Sequence, residues 1–252
     1  MNNKQYKNIT DSDAIALISP TWANNRREWC FYENLPDRLK KNVQFNLRAI
    51  REAEISLDFL EDLQDNKEVV MASVKQRPTN LEFASADLKN DKEVVQVAIS
   101  DLSSCIEYAS DEIKDDKETI LFCVLRNGLN LKHASDRLKN DREVVVTAIL
   151  DNPLSLEYVS TEMKIDIEIV IMAVKNHGQA LFHAGEKLKD NKQVVLAALE
   201  DSEAAMMYIG KILNNEIGKN EPISYLKSAI LHEELSYDIG DNKKDNKPKL
   251  KL

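Results

Sequence analysis

Apolar residues recur along this chain at a fixed interval. Equivalent apolar positions are Leu39, Leu63, Leu88, Ile113, Leu138, Met163, Leu188 and Leu213, and after a first interval of 24 residues every interval is 25 residues. The stretch LKNDKEVV that begins at Leu88 returns as LKNDREVV at Leu138. A period of about 20 to 50 residues is typical of solenoids, in which one small structural unit is copied and stacked.

The first half of each unit has the apolar spacing of a helix. After Leu88, apolar residues lie at Val95, Ala98 and Ile99, and steps of three and four residues place such side chains on one helical stripe. An Asp or Asn precedes most stripes, with Glu or Gln three residues later, which is the pattern of a capping box. The predicted capping pairs are Asp65 with Glu68, Asn90 with Glu93, Asp115 with Glu118, Asn140 with Glu143, and Asp190 with Gln193. Ile165, which precedes Glu168, cannot cap a helix.

The second half of each unit also has helical spacing, as at Leu81, Phe83 and Ala84, and turn residues such as Arg77-Pro78 separate the halves. Runs such as VVV are rich in β-branched residues and could form strands. The helix-start signals and the lack of strict alternation favour helices. We therefore predict an all-α solenoid of stacked antiparallel helix pairs, with about ten residues per helix and a 25-residue repeat.

The ends of the chain depart from the repeat. We predict an N-terminal helical cap with a partial repeat over residues 1–38, seven repeat units over 39–213, a capping helix over 214–237 and a disordered lysine-rich tail over 238–252. Trp22, Trp29, Phe31 and Tyr32 form an aromatic cluster that should cover the open end of the stack.

The charge distribution narrows the range of partners. A formal net charge of −9 argues against general nucleic-acid binding, which needs a basic surface. The tail carries Lys243, Lys244, Lys247, Lys249 and Lys251 against Asp245, so the rest of the chain is more acidic still.

Cys30, Cys105 and Cys123 form no CxxC pair, which fits reduced thiols. With no signal peptide or bilayer-spanning run in view, we expect a cytoplasmic protein with no membrane span.

The capped DKEVV segment, the following IEYAS segment and the closing LKND together resemble the repeat of the family called domain of unknown function 4116. Leu88 to Glu112 and Leu138 to Glu162 match it best, and the resemblance covers about Leu39 to Leu213. The resemblance implies helical repeats, found in proteins of intracellular bacteria and host-associated microbes, some of them suspected effectors delivered into a host cell. It implies no catalytic residues.

A search for chemistry yields no catalytic residue, no cofactor site and no metal site. His133 and His183 occupy the position that is aromatic in other units, and two repeat steps would separate them too widely to share a metal ion. We therefore expect them to replace core aromatic residues. The glycines form no phosphate-binding motif, and the Asp and Glu pairs are explained by capping. We expect no enzyme activity.

One set of equivalent apolar residues lies beside the main stripe of the first helix: Met71, Leu121, Val146, Ile171 and Leu196, with Gln96 as the polar exception. These side chains either are buried between units or form an apolar ridge that binds a partner's helix or peptide. We predict a protein-interaction module, a scaffold, adaptor or inhibitor of a partner enzyme, whose partner is another protein with a basic surface. The alternative is contact of the lysine tail with nucleic acid or acidic lipid.

Overall fold

The computed structural model describes residues 8–18 and 32–245, with side chains described as far as residue 233. The chain forms two compact units, one ending at Ser135 and one beginning at Asp136. All regular structure in the described residues is helical. The fold class is therefore the predicted all-α helical-repeat solenoid, and the strand alternative is wrong for the described residues.

Each repeat contains a long α-helix, a 3-10 helix and a short α-helix, and we name each repeat by the first residue of its long helix. The long helices are Lys67–Gln76, Lys92–Asp101, Lys117–Val124, Arg142–Asp151, Ile167–Asn176 and Lys192–Asp201. The 3-10 helices are Pro78–Phe83, Ser103–Tyr108, Gly128–His133, Pro153–Glu157, Gly178–His183 and Glu203–Tyr208. The short helices are Ala86–Lys89, Asp111–Lys114, Asp136–Lys139, Thr161–Lys164 and Glu186–Lys189, and the last repeat ends in the longer helix Lys211–Ile217.

The predicted apolar stripe is the core of each unit. In the Lys92 repeat, Val94, Val95, Ala98 and Ile99 are at most 1% exposed. The matching residues of the other long helices are also buried, except the half-buried Thr119, and five of the 3-10 helices add a fully buried Leu or Ile such as Leu81 or Ile106. Because a fully buried aliphatic side chain contributes roughly 1.5–3 kcal/mol, this layer supplies most of the stabilisation of helices that are too short to be stable alone.

The predicted helix caps are one residue out of register. The N-cap of the Lys92 helix is Asp91, whose carboxylate accepts from the backbone N–H groups of Glu93 and Val94 at 2.9 and 3.3 Å. Where two Asp or Asn residues are adjacent, only the second has the extended backbone of an N-cap. The Ile167 helix is therefore capped after all, by Asp166. The glutamate lies too early to complete a capping box.

The predicted second helix of about ten residues is also wrong. It consists of the 3-10 helix and the short α-helix, with an extended break between them. In the Lys67 repeat the break lies at Ala84 and Ser85, and the Ser85 hydroxyl accepts from the N–H of Leu88 at 3.4 Å. A serine that caps a new helix ends the preceding one, because its backbone leaves helical geometry.

Helices outside the repeats close each unit. The N-terminal unit begins with Asp11–Ile18, Asp37–Lys40 and Val43–Ala53, followed by the 3-10 helices Leu57–Phe59 and Glu61–Leu63. Of the predicted aromatic cluster, Tyr32 is buried and its hydroxyl donates to Asn46 Oδ1 at 2.8 Å, whereas Trp22, Trp29 and Phe31 lie outside the described residues.

The C-terminal unit ends with the helix Pro222–Asp245, which extends past residue 237, where we predicted its end. Leu226 of this helix is fully buried. None of the described helices has the length and apolar character needed to cross a bilayer.

Candidate binding surface

The five predicted ridge residues are neither buried nor fully exposed. Met71 and Leu121 in the N-terminal unit are half-buried, as are Val146, Ile171 and Leu196 in the C-terminal unit. The residue before each of them, such as Val70 or Ile120, is fully buried. Each ridge side chain therefore presents part of its apolar surface to solvent at the margin of the long-helix face, and burial does not remove the ridge. We call these five residues the aliphatic row.

A second surface lies where each short helix meets the next long helix. We call it the charged edge of each unit: residues 65–68, 90–93 and 115–118 in the N-terminal unit, and residues 140–143, 165–168 and 190–193 in the C-terminal unit. Here the first residue of one long helix pairs with the N-cap of the next: Lys67 Nζ lies 2.7 Å from Asp91 Oδ2, and Lys92 Nζ lies 2.7 Å from Asp116 Oδ2. The Lys67 ammonium lowers the pKa of the Asp91 carboxyl, and that carboxylate raises the pKa of Lys67.

A hydrogen bond we call the serine latch also joins neighbouring repeats at this edge. The Ser110 hydroxyl donates to Asn90 Oδ1 at 2.6 Å while it accepts from the N–H of Ile113 at 3.2 Å. Ser160 makes the same pair of bonds, to Asn140 at 2.5 Å and from Met163 at 3.1 Å. Ser135 likewise donates to Asp115. The residues that we predicted as N-caps therefore bind the capping serine of the next short helix.

Comparison with known protein families decides the identity of these repeats. The family model described as Domain of unknown function (DUF4116) matches residues 66–114, 116–164 and 166–214 in tandem. The chain belongs to the DUF4116 family. No curated protein and no solved structure matches it.

Each DUF4116 match spans two of the structural repeats. The matches begin at Asn66, Asp116 and Asp166, which are the N-caps of alternate long helices. Each match ends in the last helix of the second repeat that it covers. The family unit is therefore twice the 25-residue step between successive long helices.

One DUF4116 repeat breaks the pattern of the charged edge. Isoleucine replaces the latch acceptor at residue 165 and the pairing cation at residue 167, and these side chains are 61% and 36% exposed. Gly185 occupies the position of the latch serine. A serine Cβ there would lie 2.6 Å from Ile165 Cγ2, which is too close, so only glycine fits beside Ile165 in this conformation. In the next repeat Gly210 makes room for Asp190, whose carboxylate accepts from the N–H of Leu213 at 2.9 Å.

Two cysteines and one histidine among the described residues of this DUF4116 protein lie in surroundings that lower their reactivity. Burial raises the pKa of the Cys105 thiol to about 11 and of the Cys123 thiol to about 12, so both are protonated near neutral pH. His183 packs edge-on against the Phe182 ring at 4.9 Å, and burial lowers its pKa. Within the described residues, no group of three His, Cys, Asp or Glu side chains is placed to hold a metal ion.

The N-terminal unit also contains a cavity of about 550 Å³. Ile18, Phe59, Phe83, Arg77 and Asn80 are among its lining residues. Asn80 is committed to the fold, since its amide donates to Ser73 Oγ at 2.7 Å and accepts from Ser56 at 2.8 Å. The cavity lining is therefore mixed, since the carboxylates of Glu54, Asp58 and Glu82 and the Arg77 guanidinium lie among the apolar side chains. The cavity could not be predicted from sequence, because its lining comes from segments far apart along the chain.

The sequence also gave no signal for several exposed apolar side chains on the C-terminal unit. Leu150, Phe182, Met207 and Ile212 are each more than half exposed. Their positions carry polar or charged residues in several other repeats, as Glu82 and Glu107 do at the position of Phe182. These four apolar residues could have been found in the sequence by comparing the repeats at their polar positions rather than at their apolar ones.

Proposed function

We propose that this DUF4116 chain is a non-catalytic interaction scaffold that binds partner proteins through the aliphatic row. The partial exposure of the row carries the proposal. Val145, Val170 and Val195 are completely buried, whereas the next residues, Val146, Ile171 and Leu196, keep part of their surface in contact with solvent at equivalent points. A repeated apolar position on rigid helices suits a helix or extended peptide that touches several repeats of one unit.

The charge of the chain favours a basic partner surface around that apolar contact. The chain carries −9 overall, and acidic residues are concentrated at the charged edge. Complementary charge mainly increases the rate of association and excludes partners of the wrong sign. We therefore expect salt to slow association with the partner more than it speeds dissociation.

The test uses a substitution that the chain itself tolerates. Gln96 holds the position of the row in the Lys92 repeat, so glutamine is compatible with the fold there. We would compare the full chain with Ile171→Gln/Leu196→Gln and with a control, Lys175→Gln/Gln179→Ala, that changes exposed residues of the same unit. Proteins captured from lysates are quantified by mass spectrometry, and far-UV circular dichroism confirms native helicity.

The expected result is a defined partner that the wild type and the control retain and the row variant loses. Equal retention by all three proteins would refute the role of the row. A further variant with the five tail lysines replaced by serine tests contact of the tail with nucleic acid or acidic lipid. Loss of binding in that variant alone, with a steep dependence on salt, would favour the tail.

A further inference from the structure

The isoleucine edge, formed by Ile165 and Ile167, is an apolar interruption of the charged edge in the C-terminal unit. Both residues flank the N-cap Asp166, and both side chains are exposed although they are large and aliphatic. At residue 165 the other repeats have Asp or Asn, and at residue 167 they have Lys or Arg. The substitution of both positions in one repeat concentrates apolar surface at one place.

The fold gains little from these two isoleucines. Ile165 occupies the position of Asn140, which accepts the Ser160 latch in the preceding repeat, so no equivalent latch forms at residue 165. Ile167 occupies the position of Arg142, which pairs with the N-cap Asp166 at 2.6 Å, and the N-cap that follows Ile167 is the uncharged Asn191. Ile165 contacts the backbone around Gly185, yet most of its surface stays in solvent. Packing within the unit therefore accounts for only part of the surface of the two isoleucines, and the rest is exposed.

Acidic clusters lie on the charged edge before and after the isoleucine edge. In the preceding repeat the guanidinium of Arg142 pairs with two carboxylates, those of Asp166 and Glu168. In the following repeat the ammonium of Lys192 lies 3.8 Å from Glu216 and 2.5 Å from Glu233. The charged-edge residues 140–143, 165–168 and 190–193 contain five carboxylates and two cations, so this part of the edge is acidic. The surface as a whole fits a segment in which aliphatic side chains alternate with cations.

The chain contains one such segment. Residues 242–252 read NKKDNKPKLKL, with Leu250 and Leu252 placed between lysines. We propose that the isoleucine edge binds the C-terminal segment, residues 242–252, of a second copy of this chain. Leu250 and Leu252 cover Ile165 and Ile167, and the neighbouring lysines face the two acidic clusters.

The length of the chain favours a second copy over the same copy. Glu233 contacts Lys192, and the helix then continues to Asp245, which at about 1.5 Å per residue is about 18 Å further on. Leu250 follows Asp245 by five residues, which span at most about 18 Å when fully extended. If the segment doubled back, Leu250 would return only to the level of Glu233, with no length left for that side chain to reach the neighbouring long helix. A second copy has no such limit.

The test is photo-cross-linking of the full chain. Leu250→p-benzoylphenylalanine is introduced, and equal amounts of ¹⁴N-labelled and ¹⁵N-labelled protein are mixed, irradiated and mapped by mass spectrometry. We expect cross-links between differently labelled copies at residues 162–168 or 185–187. Ile165→Asn/Ile167→Lys, which restores the residue types of the other repeats, should lower the yield at least about tenfold, since it removes the aliphatic contact.

The matched control is Leu150→Asn/Leu154→Lys, which removes exposed leucines elsewhere on the same unit and should leave the yield unchanged. Sedimentation velocity of the chain without the photoprobe should show concentration-dependent association that weakens as salt is raised. Cross-links within one copy, equal loss in the control, or no association in sedimentation would each overturn the proposal. None of these results depends on partner capture by the aliphatic row, so this proposal and the proposed function can fail separately.

Discussion

Gly185 and Ile165 provide a sharp test of how the repeats are joined. Gly185 has ordinary extended dihedral angles, φ −63° and ψ 144°, so its backbone does not require glycine. A Cβ at Gly185 would instead lie 2.6 Å from Ile165 Cγ2 and 3.1 Å from the Lys164 carbonyl oxygen. We therefore predict that the effect of Gly185→Ser changes sign when Ile165→Asn is also present.

The expected energies follow from the neighbouring repeat. Alone, Gly185→Ser should cost about 1 kcal/mol, the low end of overpacking penalties, because the exposed Ile165 can turn away. With Ile165→Asn, the new hydroxyl can cap the N–H of Leu188 as Ser160 caps Met163, worth about 1 kcal/mol. It can also donate to the new amide as Ser160 does to Asn140, worth about 0.5 kcal/mol at an exposed site. The coupling between the two positions is then about 2.5 kcal/mol.

The assay is urea unfolding of the wild type, both single variants and the double variant, followed by far-UV circular dichroism. Hydrogen exchange at the Leu188 amide gives a local reading, and a coupling of about 2.5 kcal/mol corresponds to about 70-fold slower exchange in the double variant than additivity predicts. Free energies that add to within about 0.5 kcal/mol would refute the reasoning, because independent sites behave in that way.

The remaining predictions concern helix caps and thiols. Asn66→Ala should destabilise the chain by about 1 kcal/mol in urea unfolding, because the Asn66 side chain accepts from the N–H of Val69. Asp65→Ala should change the free energy of unfolding by less than about 0.5 kcal/mol. A larger loss for Asp65→Ala than for Asn66→Ala would instead support Asp65 as the N-cap, as we predicted from sequence. In a Cys30→Ser background, Cys105 and Cys123 should not react with a thiol reagent at pH 8 until the protein unfolds, because burial raises both pKa values; rapid labelling of the native protein would contradict this.

The core of this fold could be predicted from sequence because the spacing of the buried apolar residues is the same in every repeat. Val95, Ala98 and Ile99 face inward at helical spacing, and the same spacing returns in each repeat, so the stripe, the helices and the stacking follow together. Local hydrogen bonding was not predictable in the same way. In pairs such as Asn90-Asp91 either side chain can cap a helix, and backbone geometry selects the second.

The split of the second helix escaped prediction for a related reason. Leu81, Ala84 and Leu88 are all buried and have helical spacing across the break. In repeats with a serine at the break, such as Ser85, neither glycine nor proline marks it, since the serine ends one helix by capping the next. The aliphatic row could be named from sequence, but its partial exposure depends on how closely neighbouring long helices pack, which no local pattern contains.

The charged edge carries more information about function than the core does. Core positions are mostly small or aliphatic in every repeat, because packing requires it. They therefore do not show which repeat has a binding role of its own. At the edge, three repeats use a serine latch, one substitutes an aspartate as a cap, and one gives up both latch and cation for exposed isoleucines. Asp190 shows that a lost latch can be replaced by another polar contact, so the loss at Ile165 is not forced by the fold. Gly185 makes room for Ile165 within the unit, yet most of Ile165 stays exposed beside Ile167. Apolar surface left exposed on an otherwise charged edge favours a bound partner, which is the reason for proposing the C-terminal segment of a second copy there.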